Sequence, residues 1–544
     1  MRPGRRTLVA GVAALAVVGA AARTAWTLAA GPAGEKDCGA ILPQSGGAPV
    51  AAAPPADGGG LTWAQRGGAL NDASCLDRTP VHGVVRVTSE EDVRRALAYA
   101  RANRLGVSMA GARHSMGGHA FNRHGVVLDM NGLNRVAVNA AAKTMVVQAG
   151  ATWHDIQNAL HPRFAVKAMQ STDIFTVGGS ISVNAHGMDH HAGALAGSIR
   201  WVRVMLPDGT VVRTSRTENE ALFRHVVGGY GLFGVILEAE LDVVDNVLYH
   251  SERRTIAAKD FERVWREELN GDGSVALFYG HLSTAPDTLL DEMILYLYRD
   301  TGVPAASVPD LPALGEVSMV GLRRFVFNLS KWRGPAMWTK WWAEKNVEPK
   351  IEGCTVTTLP AGVAVPRAAA QASDPASKVC LVSRNEPMHD SVPYLRNRLP
   401  GETDILHEYF IPRERFAGFV DAARRIFKEQ RANVLNASVR VVAGEDVALT
   451  YAPRDAFSLV LYVNQRTDAG GNAAMERLTR SLIDAAADVG GRFFLPYQLH
   501  YTAQQLERAY PNVREFFAAK RRYDPDGLLT NTWYATFAPA LGTT

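Results

Sequence analysis

The first residues whose types and spacing could do chemistry lie in one short loop, residues 110–120, which reads AGARHSMGGHA. Its glycines let backbone N–H groups turn toward an anion at close range, as a phosphate cradle requires. His114 and Ser115 add two reactive side chains to the middle of the loop. Glycine-rich loops between strands are usually only surface turns, so this loop alone leaves both interpretations open.

A second glycine-rich cluster, TVGGSISVNAHGMDHH, covers residues 176–191. Its paired glycines allow close backbone approach, its serines and asparagine offer hydrogen bonds, and Gly187 leaves His186 room to face a ligand. His186, His190 and His191 raise the alternative of a metal site. The helical zinc motif needs a glutamate beside its first histidine, and here a glycine follows instead. We therefore predict no metal.

A third cluster, GYGLFG at residues 229–234, matches the pattern G-x-G-x-x-G. In a Rossmann nucleotide site, a strand precedes this pattern and a helix follows it. Here a helical pattern over residues 218–228 comes first, and an alternating strand over residues 235–244 follows. The context is inverted, so we predict a helix-to-strand turn that packs against a cofactor held by the first two clusters.

The elements around these clusters predict an α+β domain. A helix that Ser89 can cap has apolar residues at helical spacing, and it separates two short apolar strands in a β-α-β unit. The predicted strands are Val84–Val87, Leu105–Met109, Val126–Met130 and Thr144–Gln148, and a further helix is predicted at Trp153–Leu160. The β-α-β unit delivers the chain into the first glycine loop.

The middle of the chain predicts an antiparallel sheet flanked by helices. The strands are Ser274–His281, Glu292–Tyr298, Val434–Val442 and Phe457–Asn464, and the helices include Arg413–Arg431 and Ala473–Val489. The segment MWTKWWAEK, residues 337–345, concentrates three tryptophans; core packing is favoured over an apolar entrance or a membrane contact. In DILHEYFIP, His407, Glu408 and Tyr409 alternate along a predicted strand. One face of this strand could point polar side chains at a ligand, and ordinary strand alternation explains the pattern equally well.

Composition limits the class of protein. A chain of 544 residues with 47% hydrophobic and 21% charged residues suggests two or three globular domains. The formal charge of +4 comes from 58 basic and 54 acidic residues without a basic run, so we predict no nucleic-acid partner. The four cysteines lack C-x-x-C spacing; Cys38–Cys75 and Cys354–Cys380 are possible pairs, with free thiols as the alternative.

The amino terminus has the features of an export segment. Arg5 and Arg6 precede an apolar run, Leu8–Ala22, and together they resemble a twin-arginine export signal. If this segment is not cleaved, it could act as a single membrane anchor. We therefore expect an exported or membrane-anchored protein of the bacterial cell envelope, on the periplasmic side. Residues 31–60 are rich in Gly, Pro and Ala and are typical of a flexible tether.

The three clusters, in this order over about residues 81–245, resemble the FAD-binding domain of the vanillyl-alcohol-oxidase or PCMH type. The resemblance implies an α+β fold: a two-subdomain FAD-binding domain, an antiparallel-sheet substrate (cap) domain and a carboxyl-terminal segment that returns to the FAD domain. The implied division is an export segment or anchor at 1–30, a linker at 31–75, the FAD domain at 76–247, the cap domain at 248–490 and the returning segment at 491–544.

The resemblance also implies which residues bind FAD. They come from the three clusters, the segment before the second cluster and the carboxyl-terminal part: Gly111, Ala112, Arg113, His114, Ser115, Met116, Gly117, Gly118, Ser171, Thr176, Val177, Gly178, Gly179, Ser182, Val183, Asn184, His186, Gly234, Val235, Phe494 and Asn531. In alditol and aldonolactone oxidases the loop reads G-H-S, and its histidine bonds covalently to the flavin. His114 falls on that position, although Arg113 replaces the usual glycine.

Within this superfamily the motifs are most similar to decaprenylphosphoryl-ribose oxidases, whose second cluster also has TVGG and then HG with a His pair. The closing segment agrees, but Tyr497 stands where that family has a lysine near the flavin, which implies a different substrate. The candidate catalytic bases are Tyr497, His186 and His500, with Tyr497 the first choice. His186 is equally suited to hydrogen-bonding the flavin or a backbone carbonyl.

We therefore expect an FAD-dependent enzyme that oxidises a CH–OH group of a sugar, polyol or lactone, with oxygen as acceptor. An envelope dehydrogenase that passes electrons to a quinone or carrier is one alternative. A flavin- or ligand-binding envelope protein without turnover is another.

Overall fold

We describe the protein from a computed structural model that covers residues 60–76, 78–315, 319–348, 354–357, 380–390, 392, 395, 399 and 401–543. The predicted export segment and Cys38 lie outside these residues, so both remain predictions. Among the helices of the described part, none combines the length and hydropathy needed to cross a bilayer. Cys354 and Cys380 form one of the two predicted disulfides.

The first sheet belongs to the amino-terminal part of the fold. Its main strands are β1 (Trp63–Arg66), β4 (Gly83–Arg86), β5 (Val107–Ala110) and β6 (Val126–Asp129), beside a small ladder of β2 (Ala69–Leu70) and β3 (Thr79–Pro80). The order is β1-β4-β6-β5; β4 and β5 run parallel to β6, and β1 is antiparallel to β4. β1 and β2 correct part of the predicted linker over residues 31–75, because β1 pairs with β4 and Trp63 packs edge-on against Tyr99 of the helix that follows β4.

Helix α1 (Glu90–Ala102) connects β4 to β5 as the apolar spacing predicts. The Ser89 side chain accepts the Asp92 N–H and the Asp92 carboxylate accepts the Ser89 N–H, a capping box that satisfies two otherwise unpaired donors. The buried apolar face is Val93, Ala96, Leu97 and Ala100. The first glycine loop therefore begins at the carboxyl end of β5, a buried parallel strand.

The second sheet is antiparallel and contains six strands: β7 (Val136–Asn139), β8 (Thr144–Gln148), β9 (Phe164–Val166), β10 (Ile199–Met205), β11 (Val211–Thr214) and β12 (Val235–Asp245). The order is β11-β10-β12-β8-β7, and β9 pairs with β12. Its helices are α2 (Trp153–Leu160), α3 (Val177–Val183) and α4 (Glu220–Val226). Because α4 precedes the third glycine cluster and β12 follows it, the inverted context predicted from the sequence is confirmed.

The third sheet has eight antiparallel strands: β13 (Val247–Ala257), β14 (Val275–Leu282), β15 (Glu292–Pro304), β16 (Leu381–Ser383), β17 (Glu402–Pro412), β18 (Asn433–Val442), β19 (Ala456–Arg466) and β20 (Arg492–Phe493). Their order is β16-β13-β15-β14-β18-β19-β17-β20. The accompanying helices are α5 (Phe261–Val264), α6 (Val320–Ser330), α7 (Pro335–Asn346), α8 (Phe416–Gln430) and α9 (Ala469–Asp488). This confirms the predicted antiparallel sheet with flanking helices.

Helix α7 corrects the prediction that its tryptophans pack in the core. Trp341 is buried and its indole N–H donates to Glu292 Oε2 at 2.8 Å, whereas Trp338 and Trp342 are 52% and 48% exposed. Successive helical residues are rotated by about 100°, so the neighbours of a buried position can face outward. Only one of the three tryptophans is therefore a core residue.

The carboxyl-terminal segment contains α10 (Ala503–Ala509), α11 (Val513–Tyr523) and α12 (Thr532–Ala540). It returns to the first sheet, where Leu529 forms a parallel bridge with Val107, and the Asn531 side-chain amide donates to the Tyr230 carbonyl at 2.9 Å. The predicted return of this segment is confirmed. It closes the space between the three glycine clusters and the third sheet.

Candidate active site

The three glycine clusters meet around one cavity of about 340 Å³. The cluster residues that were predicted to bind FAD and that line it are Gly111, Ala112, Arg113, His114, Ser115, Thr176, Gly178, Gly179, Ser182, Val183, His186 and Gly234. Ser171 joins them from the preceding segment, and Phe494, Tyr497 and Asn531 join them from the carboxyl-terminal part. Most residues predicted to bind FAD therefore share one enclosed space, although they come from distant parts of the chain.

Six other residues predicted to bind FAD do not line this cavity. Met116 lines the adjoining cavity, and Val177 and Val235 are buried in α3 and β12. A Cβ on Gly117 would lie 2.5 Å from the Tyr497 carbonyl, and the Gly118 N–H donates to Asp72 Oδ2. Asn184 uses its side chain inside the protein, where it accepts the Ala196 N–H and donates to Glu445. Apart from Met116, these residues lie behind the residues that line the cavity.

His500, one of three predicted bases, is not in the site. It lines neither cavity, and Arg480 of α9 donates to its backbone carbonyl at 2.8 Å. His407 lies on the opposite face of β17 from Glu408, because adjacent strand residues point to opposite faces. The structure therefore does not bring His500, a candidate base, together with Tyr497 and His186 at the cavity.

The backbone around the cavity is close-packed in a way that suits a large cofactor held by main-chain atoms. A Cβ on Gly111 would lie 2.0 Å from Thr176 Oγ1, and one on Gly178 would lie 2.8 Å from the Ala149 Cβ. Arg113 has φ of 52°, a left-handed conformation that glycine adopts most readily. This conformation explains why glycine suits the position that Arg113 occupies.

Glu408 is the polar centre of the cavity. Its Oε1 accepts hydrogen bonds from His186 Nε2 at 2.7 Å and from Ser458 Oγ at 2.5 Å, and the Tyr497 hydroxyl also bonds to it. The side chains of His186 and Glu408 are both almost fully buried. His186 Nδ1 is buried and has no hydrogen-bond partner among the described residues, so a bound cofactor or substrate could supply one.

Burial raises the pKa of Tyr497 well above its usual value of 10, and the neighbouring Glu408 carboxylate raises it further. At neutral pH Tyr497 is therefore a hydrogen-bond donor rather than a resting base. This finding changes the role expected for the first-choice catalytic residue.

A second, larger cavity of about 820 Å³ adjoins the first. The residues that line both cavities mark their junction: Ala112, His114, Ser171, Thr172, Phe175, Leu406, Arg440 and Val460. At this junction Arg440 Nε donates to Ser171 Oγ at 3.1 Å, and its guanidinium lies 5.1 Å from the centre of the Tyr279 ring. Burial lowers the pKa of Arg440, whereas the nearby Glu408 raises it.

The far wall of the second cavity comes from the third sheet and the helices α6 and α7. Tyr279 and Tyr296, paired across β14 and β15, stack with ring centres 4.3 Å apart and 7° between their planes. His281, Lys340 and Glu344 add polar groups to the same wall. The cavity thus has aromatic and hydrogen-bonding groups in the wall that adjoins the Glu408 side.

Sequence reasoning did not choose Glu408 or Arg440 as site residues. The available signal was the alternation in residues 404–412, which offered two opposite faces for His407 and Glu408. His407 packs against Tyr409 and Met475, and this leaves Glu408 facing the cavity. Only the packing of α9 against one face of the sheet decides between the two.

The three histidines considered for a metal do not converge. His186 bonds to Glu408, whereas His190 contacts Trp265 and His191 bonds to the Val275 carbonyl. A different group, His154, Asp173 and His389, has metal-ligand atom types within 4.8 Å of one another.

The second group is better explained as a hydrogen-bonded clamp. Gln157 donates its amide N–H to the Asn385 carbonyl, so its Oε1 faces His389 Nδ1 at 3.0 Å and requires a proton there. A protonated Nδ1 does not bind a metal, which leaves Nε2 as the ring nitrogen of His389 that could. The group joins α2 to the segment after Cys380.

Two family models match the chain. An FAD binding domain matches residues 81–215, and D-arabinono-1,4-lactone oxidase matches residues 403–537. The first match contains the loop with His114 and the second cluster with His186. The second match contains Glu408, Arg440 and Tyr497, so the two halves of the candidate site fall in two flavoenzyme models.

Among curated proteins, decaprenylphosphoryl-beta-D-ribose oxidase of Mycolicibacterium smegmatis is 24% identical over 83% of this chain and 94% of that protein. Cytokinin dehydrogenase 5 of Arabidopsis thaliana is 33% identical over 29% of this chain and 31% of its own length. L-gulonolactone oxidase of Mus musculus is 32% identical over 29% of this chain and 36% of its own length. From these matches and the fold, the chain is an FAD-dependent oxidoreductase, and the matches are consistent with an FAD-binding domain of the PCMH type.

Proposed function

We propose that this enzyme oxidises a CH–OH group of a sugar-, polyol- or lactone-type donor. The observation that carries the proposal is the position of Glu408, which lies in the FAD-side cavity close to its junction with the larger cavity. When bound, FAD accepts a hydride from the carbon that carries the hydroxyl. The remaining task for the protein is to orient that carbon and to take up the hydroxyl proton.

Glu408 is the group best placed to take up this proton. Tyr497 donates a hydrogen bond to Glu408, so it can receive the donor's proton while it passes its own proton to the carboxylate. His186 and Ser458 hold Glu408 by two further hydrogen bonds and fix its direction. The donor thereby loses one hydride and one proton and becomes a carbonyl compound.

The walls of the second cavity support a sugar-like donor. The outer faces of the stacked pair of Tyr279 and Tyr296 lie against the guanidinium groups of Arg440 and Arg253, which gives this wall a fixed shape and cationic hydrogen-bond donors. Arg440 lies between these rings and Glu408 and can hydrogen-bond donor oxygens. Names of relatives that include a ribose oxidase and a lactone oxidase agree with this donor class.

An anaerobic donor screen tests the proposal. We expect at least one sugar, polyol or lactone-type alcohol to bleach the bound flavin, since its hydride reduces the ring. Failure of every alcohol, together with bleaching by an amine donor, would overturn the proposed donor class.

The same assay identifies the electron acceptor of the reduced flavin. On our proposal, admission of oxygen restores the flavin absorbance with consumption of oxygen. If the reduced flavin is stable in air but is reoxidised by a quinone or dye, the enzyme is a dehydrogenase instead.

Covalent attachment of the flavin through His114 remains a prediction. His114 lines both cavities and lies edge-on to Phe175, with 4.9 Å between ring centres. We expect acid precipitation to leave the flavin in the protein pellet, and His114→Ala to release it into the supernatant. Ser115→Ala, one residue along, is the matched control and should keep the flavin in the pellet. A yellow supernatant from the wild type would exclude the covalent bond but not FAD binding.

A further inference from the structure

The exposed apolar side chains of this protein are concentrated on one surface. Of the seven large hydrophobic side chains that are exposed among the described residues, six lie between residues 319 and 347, on and around α6 and α7. They are Met319, Leu322, Trp332, Trp338, Trp342 and Val347, and the seventh is Val138. We call these six residues the cap patch.

Half of the cap patch lies at the second cavity. Met319, Leu322 and Val347 are exposed and also line that cavity, so they form its rim. Met319 and Leu322 are about half exposed, at 50% and 48%. Water-exposed apolar groups at the entrance of a cavity cost free energy unless a partner covers them, and such patches commonly mark interaction sites.

Charge and residue type indicate what covers the patch. Residues 319–348 contain six basic and two acidic residues, and four of the basic side chains are held in ion pairs. Lys331 is buried and paired with Asp404, whereas Arg333 is exposed beside Trp332. Tryptophan next to basic residues is typical of surfaces that rest in the headgroup region of a bilayer with anionic lipids.

The two helices are anchored firmly enough to present this surface. Inside α7, Trp341 bonds to Glu292 and Lys340 pairs with Glu344 at 2.5 Å. At the end of α6, Lys331 Nζ lies 2.6 Å from Asp404 Oδ2, with both side chains buried. The inward face is thus fixed to β15 and β17, and the outward face is left to contact a partner.

We propose that the cap patch is a membrane-docking surface, which places the mouth of the second cavity against a bilayer that contains anionic lipid. The surface lies in the headgroup region and does not span the membrane. It is distinct from the amino-terminal segment, so the two would contact the same membrane independently.

Quenching of tryptophan fluorescence by brominated lipid tests this proposal in the full-length holoenzyme. The vesicles contain equal parts of phosphatidylcholine and phosphatidylglycerol with brominated acyl chains. We expect quenching of the wild type, and weaker quenching of the double variant Trp338→Phe and Trp342→Phe, which keeps Trp332 in the patch. Trp26 in the predicted export segment gives the same background in every variant, so the difference from wild type reports on the cap patch.

Two controls make the result specific. Trp201 is a partly buried tryptophan in β10 whose ring packs against the guanidinium of Arg213. The variant Trp201→Phe should leave the quenching unchanged. All variants should keep the flavin absorbance of the wild type, because the substituted tryptophans of α7 are about half exposed and lie outside both cavities. Vesicles of phosphatidylcholine alone should quench less, since the cationic residues lose their partner.

Three results would overturn the proposal. One is equal quenching of the wild type and the double Phe variant. The second is an absence of quenching combined with a dimer in sedimentation that Trp338→Ser and Trp342→Ser abolish, which would assign the patch to a second copy of the chain. The third is undiminished quenching by phosphatidylcholine alone, which would remove the role of anionic lipid.

Discussion

Glu408→Gln is expected to slow anaerobic bleaching of the flavin by a good donor by about a hundred- to ten-thousand-fold, the usual contribution of a positioned proton acceptor. The amide keeps the size of the carboxylate and can still meet His186 and Ser458, so FAD content should not change. The amide cannot accept the donor's proton. Stopped-flow measurement of flavin bleaching, with FAD content from the visible spectrum, gives both quantities.

Two further variants assign the neighbouring roles. Tyr497→Phe should also slow bleaching without loss of FAD, because it removes the hydroxyl that connects the donor to Glu408. Glu445→Gln is the matched control: it makes the same chemical change at a carboxyl that lines neither cavity, and the bleaching rate should stay near that of the wild type. Normal bleaching by Glu408→Gln would show that another group takes the proton.

Wild-type protein is expected to lose stability as the pH rises from about 5 to about 9, and Glu445→Gln is expected to lose much less. Glu445 accepts a hydrogen bond from the Asn184 amide at 2.5 Å and one from the Tyr451 hydroxyl at 3.2 Å. Burial raises the pKa of its carboxyl from 4.5 to about 8, whereas these hydrogen bonds oppose the shift. The folded protein therefore keeps a proton over a pH range in which the unfolded chain has lost it.

The sign of the effect follows from this difference in bound protons. Between pH 4.5 and about pH 8 the folded state binds one more proton than the unfolded state, so the free energy of unfolding falls as the pH rises. The stabilisation is fully present below pH 4.5 and is lost above the folded-state pKa. Because Glu445 is partly exposed, we expect a loss of about 2 kcal/mol rather than the full value of the shift.

Denaturant unfolding of the holoenzyme at several pH values measures this loss. Glutamine carries no titratable proton and can still accept from Asn184, so the curve for Glu445→Gln should be flatter than that of the wild type. Glu429→Gln, at an exposed carboxyl on α8, should follow the wild-type curve. Parallel curves for the wild type and Glu445→Gln would show that other groups cause the pH dependence.

Local patterns predicted much of the fold because they record which face of an element is buried. The strand at residues 144–148 and the helix at residues 153–160 have the predicted ends, since both depend on short-range apolar spacing and capping. The linker prediction was too long because β1 is stabilised by its pairing with β4, a partner that the composition of residues 31–75 does not reveal. A composition rich in Gly, Pro and Ala predicts a flexible segment only where no distant strand pairs with that segment.

The candidate site divides in the same way. The glycine clusters and His114 could be found from the sequence, because close backbone approach needs glycine at fixed local positions. Glu408 could not be chosen, because its hydrogen-bond partner His186 lies 222 residues earlier. His500 was named as a candidate base because it is close to Tyr497 in sequence, but it lines neither cavity.

The sequence by itself determined the α+β class, the order of the three glycine clusters and, through them, the FAD-binding domain and the oxidoreductase chemistry. These properties depend on short stretches of chain whose conformations are set by neighbouring residues. Only the tertiary structure decided that Glu408 rather than His407 faces the flavin-side cavity and that Trp338 and Trp342 face outward. The reason is physical: strand and helix periodicity define which residues share a face, but the elements packed against each face determine which one is buried.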